Sequence, residues 1–131
     1  MIGLDIVAIE RIACSVRRFQ QRFLNRFLSP QEQALFNKPA SLAGAWACKE
    51  ACAKALGVGI GSQLSFLDIR LAKSALGAPL LSLSVDKQRE FNIHSLHASI
   101  THDGGFAAAV VFVQFQAQTP PFFTKTQKAL D

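Results

Sequence analysis

The sequence predicts an α+β domain in which one strand and a set of helices precede an antiparallel sheet. Two patterns carry this. The first half, after residues 2–7, carries helix start and stop signals, while the second half, up to a last strand apolar on both faces, alternates apolar and polar residues at a period of two. No apolar run approaches the ~18 residues a membrane helix needs. At 131 residues the chain fits one domain, expected over 1–116, with a C-terminal tail of uncertain order over 117–131.

In residues 2–7, Ile2, Leu4 and Ile6 alternate with Gly3, Asp5 and Val7, which reads as a short strand. A helix is expected to follow over about 8–23. Ser29, Pro30 and Glu32 then supply an N-cap, a proline at the first helical position and an acid in the first turn of a short helix ending before Pro39. Ser41 is expected to cap a third helix that runs to Leu56 and stops at Gly57. In 66–71, Leu67, Ile69 and Leu71 point one way and Asp68 and Arg70 the other. Leu81, Leu83 and Val85 alternate after a turn at Gly77 and Pro79, and 86–91 forms one short helix. Leu96, Ala98 and Ile100 alternate with His97, Ser99 and Thr101, and Asp103, Gly104 and Gly105 mark a turn. The last strand, 106–115, is apolar on both faces and is expected to be central and covered on both sides.

The net charge of +5 points to anionic partners, with Arg11, Arg17, Arg18, Arg22 and Arg26 crowded in the first quarter. The chain has no tyrosine, one tryptophan and no aromatic RNA-binding motif, so no specific nucleic-acid partner is expected. The opening residues lack the basic start and uninterrupted apolar stretch of a signal peptide. Cys14, Cys48 and Cys52 lack the spacing of a zinc or redox motif and suit a reducing compartment. A cytoplasmic protein without a membrane partner is therefore expected.

The third helix is the most informative segment. It is small or apolar nearly all round, yet carries Lys49, Glu50 and Lys54. Glu50 and Lys54 stand four apart and share a face. In a solvated helix such a pair is a surface salt bridge, but this helix has little solvated face. Asp5, inside an apolar strand, is either a helix cap or a hard oxygen ligand. Asp5 and Glu50 together suit magnesium, which takes one or two carboxylates plus waters and substrate phosphates. Gly57, Gly59 and Gly61 follow the helix. They form either a C-cap with a turn or a loop whose backbone N–H groups approach a phosphate. His102, at a strand end beside Ser99 and Thr101, can bind an anion or pass a proton.

These segments, in this order, resemble the holo-acyl-carrier-protein synthase family of phosphopantetheinyl transferases. The matching parts are Gly3, Asp5 and Ile6 with Arg11; Leu42, Ala43, Gly44, Lys49 and Glu50 leading through Lys54 into Gly57, Gly59 and Gly61; Asp68 and Ile69; and 97–102 ending in His102. The resemblance covers about 2–113. It implies the 4'-phosphopantetheinyl transferase fold, a homotrimer, and active sites between subunits. It implies magnesium held by Asp5 and Glu50, with Lys54 near the reacting groups. Coenzyme A would be bound by Lys54, the Gly57, Gly59 and Gly61 loop, Ser99, Thr101 and His102. Arg11, Arg18 and Arg22 would meet an acidic acyl carrier protein.

The implied reaction moves 4'-phosphopantetheine from coenzyme A to a carrier serine. Asp5, Glu50 and Lys54 would be its catalytic residues, with Glu50, through a water, or else Asp5 taking the serine proton. The chain departs from the family pattern at Ala45, where many members carry a basic residue; Lys49 or a neighbouring subunit is the expected substitute. Two other classes are alternatives: a metal-dependent phosphodiester hydrolase using the same Asp5 and Glu50, and a non-catalytic module binding anions or nucleic acid through the arginine-rich helix.

Overall fold

The computed structural model describes residues 1–117. All but the first residue of the expected tail, 117–131, lies outside the described residues. β1 (Ile2–Ala8) enters first, with Gly3 and Val7 buried and Asp5 between them on the same side. Its larger apolar residues, Ile2, Leu4 and Ile6, point away from the core and are 66%, 64% and 63% exposed.

The expected helix over 8–23 is two helices, α1 (Ile9–Phe19) and α2 (Gln21–Phe27), broken at Gln20 with φ 51°. Gln20 is neither glycine nor asparagine, the residues that ordinarily mark such a conformation. α3 (Pro30–Leu35) begins as expected, with a capping box: Ser29 Oγ accepts from Glu32 N and Glu32 Oε1 accepts from Ser29 N.

α4 (Pro39–Leu56) starts earlier than Ser41. Pro39 opens it, because a proline's missing N–H costs nothing at the first helical position. Ser41 instead exchanges hydrogen bonds with the backbone of Lys38, at 3.0 and 2.9 Å. Gly57 closes the helix in the left-handed conformation, φ 74°, its N–H reaching the carbonyls of Ala53 and Lys54. α4 is the centre of the core, with Leu42, Ala43, Ala47, Cys48, Ala51, Cys52 and Ala55 all buried.

A 3-10 turn (Phe66–Asp68) precedes β2 (Ile69–Lys73), which pairs antiparallel with β3 (Pro79–Leu83). The turn takes Leu67 out of the expected strand face; it is 49% exposed while Ile69 and Leu71 are buried. The cause is Ser65 and Asp68, which cap each other's backbone N–H groups. Val85, expected to continue β3, starts α5 (Val85–Glu90) and is 60% exposed.

β4 (Ile93–Asp103) and β5 (Phe106–Phe115) complete a three-stranded antiparallel sheet of order β1-β5-β4. Asp5 faces Ala109 and Ile100 faces the same Ala109 from the other side; His102 and Val7 flank Ala107 in the same way. β5 is central, as expected, but this chain covers only one of its faces. Ala107, Ala109, Val111 and Val113 are buried, while Phe106, Val110 and Phe112 are 49%, 39% and 42% exposed. Among the described residues no helix is long and apolar enough to cross a membrane.

Candidate active site

The strand–helix contact that builds the site depends on Gly3. A Cβ there would lie 1.9 Å from the Ala51 carbonyl oxygen and 2.6 Å from Ala55 N, so β1 rests on the backbone of α4. Asp5, two residues on and on the same side of the strand, reaches the same helix. Lys54 Nζ donates to Asp5 Oδ1 at 2.8 Å and to the Leu4 carbonyl at 3.1 Å. The Asp5 side chain is 15% exposed and that of Lys54 53%.

Glu50, one turn before Lys54, is half-buried. Burial pushes its carboxyl above the usual carboxylate range and the negative charge of Asp5 pushes it further, against the opposing pull of Lys54 and Arg11. Asp5, Glu50, Lys54 and Arg11 therefore share one electrostatic neighbourhood. Among the described residues no cluster of three or more His, Cys, Asp or Glu side chains forms a self-contained metal cage. Two adjacent carboxylates, one of them desolvated, do fit a magnesium ion that keeps waters and shares substrate phosphates.

The loop after α4 contributes backbone. Gly57 and Gly59 have φ 74° and 61°, and a Cβ at either, or at Gly61, would meet nothing within 4 Å. Gly57 and Gly59 serve conformation, and nothing crowds the loop's surface at any of the three.

His102 lies on the helix side of the sheet, at a cleft of about 350 Å³ lined also by Ser41, Gly44, Lys38 and Lys73. A Cβ on Gly44 would come within 2.7 Å of Ile100 Cγ2, so α4 approaches β4 closely there. The carboxylates sit under the opposite, β1 edge of the sheet and do not line this cleft. Ser99 and Thr101, opposite Val110 and Ala108, point to the other face of the sheet, so a single chain does not bring them together with His102.

Lys38 and Lys73 escaped the sequence reading, since a hairpin and a helix start far apart in the chain place them at one cleft. Lys49, expected as a stand-in for the basic residue missing at position 45, is not one. It is fully buried, and its ammonium donates to Glu32 Oε1 (2.9 Å) and to the carbonyls of Phe27 (2.7 Å) and Phe66 (3.0 Å). Ala45 itself is wholly buried in the core.

A second groove, about 340 Å³, runs between the first helices and α4. Arg11, Arg22 and Arg26 line it around Phe19, Phe23 and Trp46. Arg18 does not line it; its guanidinium rests over the Phe19 ring, 5.1 Å from the centroid. From the sequence Arg26 is only one of the crowded arginines, because the break at Gln20 hides which faces of the two helices converge on the aromatic floor.

The model of the 4'-phosphopantetheinyl transferase superfamily matches residues 1–111. The chain belongs to that superfamily. Among its relatives is the holo-[acyl-carrier-protein] synthase of Helicobacter pylori strain J99, 60% identical over 114 residues, which is 86% of this chain and 96% of that one. The enzyme of that name from Campylobacter fetus is 51% identical over 114 residues, covering 87% and 99%. In structure, the H. pylori holo-[acyl-carrier-protein] synthase solved in complex with coenzyme A superposes with a TM-score of 0.86 at 59% identity, covering 87% of this chain and 100% of that one. The Neisseria meningitidis synthase gives 0.78 at 34%, covering 86% and 96%. The α+β fold expected from the sequence is the one these structures share.

Proposed function

We propose that this chain transfers the 4'-phosphopantetheine group of coenzyme A to a serine of apo acyl carrier protein, releasing adenosine 3',5'-bisphosphate. The observation that carries the reading is the meeting of Asp5, Glu50 and Lys54 where β1 rests on α4. The serine oxygen forms a bond to the phosphorus that bears pantetheine, and the bond from that phosphorus to the leaving phosphate breaks. Such transfers need mainly positioning and charge neutralisation.

Asp5 and Glu50 would hold magnesium, which supplies positive charge along the pyrophosphate. Lys54 neutralises charge on the departing phosphate. Glu50, acting through a water, or else Asp5 takes the serine proton. His102, Lys38 and Lys73 form the anion-binding side of the nucleotide cleft, and the Gly57–Gly61 loop shapes the pocket. The groove of Arg11, Arg22 and Arg26 offers charge at its rim and aromatic rings at its floor, which suits an acidic carrier helix with apolar residues.

The chain acts as a homotrimer. Two observations favour this: the outer sheet face exposes Ile2, Leu4, Ile6, Val110 and Phe112, and the carboxylates and the His102 cleft lie at opposite edges of the sheet, where a neighbouring copy can join them. Three free thiols suit the cytoplasm.

The test is Asp5→Ala and Glu50→Ala. Each should abolish carrier modification while the protein stays folded by circular dichroism, and near-normal rates from either would remove the carboxylate assignment. Release of free phosphopantetheine without an acceptor would favour a hydrolase instead.

A further inference from the structure

We infer that Lys54 and the divalent cation compete for Asp5, so that metal loading releases the Lys54 ammonium from β1 toward the substrate phosphates. This rests on the proposed metal pair. The ammonium is engaged with the strand at two acceptors, Asp5 Oδ1 at 2.8 Å and the Leu4 carbonyl at 3.1 Å. In that position it neutralises the carboxylate a metal needs and is held at the strand.

The two partners differ in freedom. The Asp5 side chain is 15% exposed and fixed on the central sheet, whereas that of Lys54 is 53% exposed and can swing without unpacking the core. The lysine is therefore the group that moves. A hydrated divalent ion beside Asp5 and Glu50 sets like charges against each other and weakens the lysine's hold. The consequence is an order: Lys54 becomes available to the phosphates once the cation has taken its place. Until then the ion pair keeps Asp5 from standing uncompensated.

The test uses the full chain with Mn²⁺ as probe, in the absence of coenzyme A and carrier, with free Mn²⁺ measured by electron paramagnetic resonance. Lys54→Met should bind Mn²⁺ about threefold or more tighter than the wild type, the scale of a surface ion pair. In the unsubstituted protein, acetylation of Lys54 by acetic anhydride, mapped by mass spectrometry, should increase when Mn²⁺ is added. Equal or weaker binding by folded Lys54→Met, or Lys54 labelling that does not rise with Mn²⁺, would overturn the competition alone. Wild-type Mn²⁺ affinity in Asp5→Asn would overturn both the competition and the metal pair.

Discussion

Replacing Gly3 with alanine tests the contact on which the site is built. The new Cβ would stand 1.9 Å from the Ala51 carbonyl oxygen, 2.6 Å from Ala55 N and 2.9 Å from the Ala51 carbonyl carbon. All three are backbone atoms of α4, so no side chain can rotate away. β1 must lift off the helix by an ångström or more. Overpacking typically costs about 1–3 kcal/mol, and a clash of backbone on backbone belongs at or beyond ~3 kcal/mol. With a urea dependence of roughly 1–3 kcal/mol per molar, the midpoint should fall by about 1 M or more at fixed protein concentration.

Asp5 lies two residues along the lifted strand, so turnover should fall as well. A displacement near 1 Å at reacting groups can cost about a hundredfold. Gly104→Ala is the comparison: its φ of 57° strains alanine, but a Cβ there meets nothing within 4 Å. It should lose only the ~1–2 kcal/mol of a left-handed residue. A Gly3→Ala protein within ~0.5 kcal/mol of the wild type and normally active would refute the seating of β1 on α4.

Lys49→Met should destabilise the protein by about 3–5 kcal/mol in urea denaturation, because it leaves the buried Glu32 carboxylate without its cation. An effect below ~1 kcal/mol would contradict the buried network. Glu50→Gln should raise the urea midpoint at pH 7–8 with chelator present. The raised folded pKa of Glu50 means that stability is lost as pH climbs from its unfolded value through its folded one, and glutamine removes that loss. The gap should close as pH falls below the ordinary carboxylate value, and a gap that widens in acid would contradict the assigned shift. Arg11→Glu should raise the Michaelis constant for carrier protein far more than that for coenzyme A, and added salt should mimic it. An equal effect on both substrates would argue against the arginine groove as the docking face.

What the sequence disclosed depended on whether the signal was local. Ser29 with Glu32, and Gly57 after an apolar helix, act within a few residues, and their caps lie where they were read. The helix start at Pro39 was misread because a proline both ends one helix and begins the next. The break at Gln20 left no trace, since its positive φ falls on a residue that does not advertise it. Among the candidate site residues, Glu50 stood out because a charge on an apolar helix is costly to bury, and it is half-buried; Lys54, read the same way, keeps its side chain 53% exposed and pairs with Asp5 across to β1. Lys49 looked the same in the sequence but turned inward, to Glu32, Phe27 and Phe66, partners brought together only by the fold. Lys38 and Lys73 were invisible for the converse reason: each is ordinary alone, and their shared cleft comes from the meeting of the β2–β3 hairpin with the start of α4. The outer face of β5 was read as covered because its residues are apolar, and a single chain leaves that face exposed.

The most direct measurement is the intact mass of an apo acyl carrier protein after incubation with this protein, coenzyme A and magnesium, alongside a chelator control. The transferase reading requires a magnesium-dependent gain of one phosphopantetheine on the carrier. An unchanged mass, with folded enzyme and a carrier that a known synthase can modify, would contradict it.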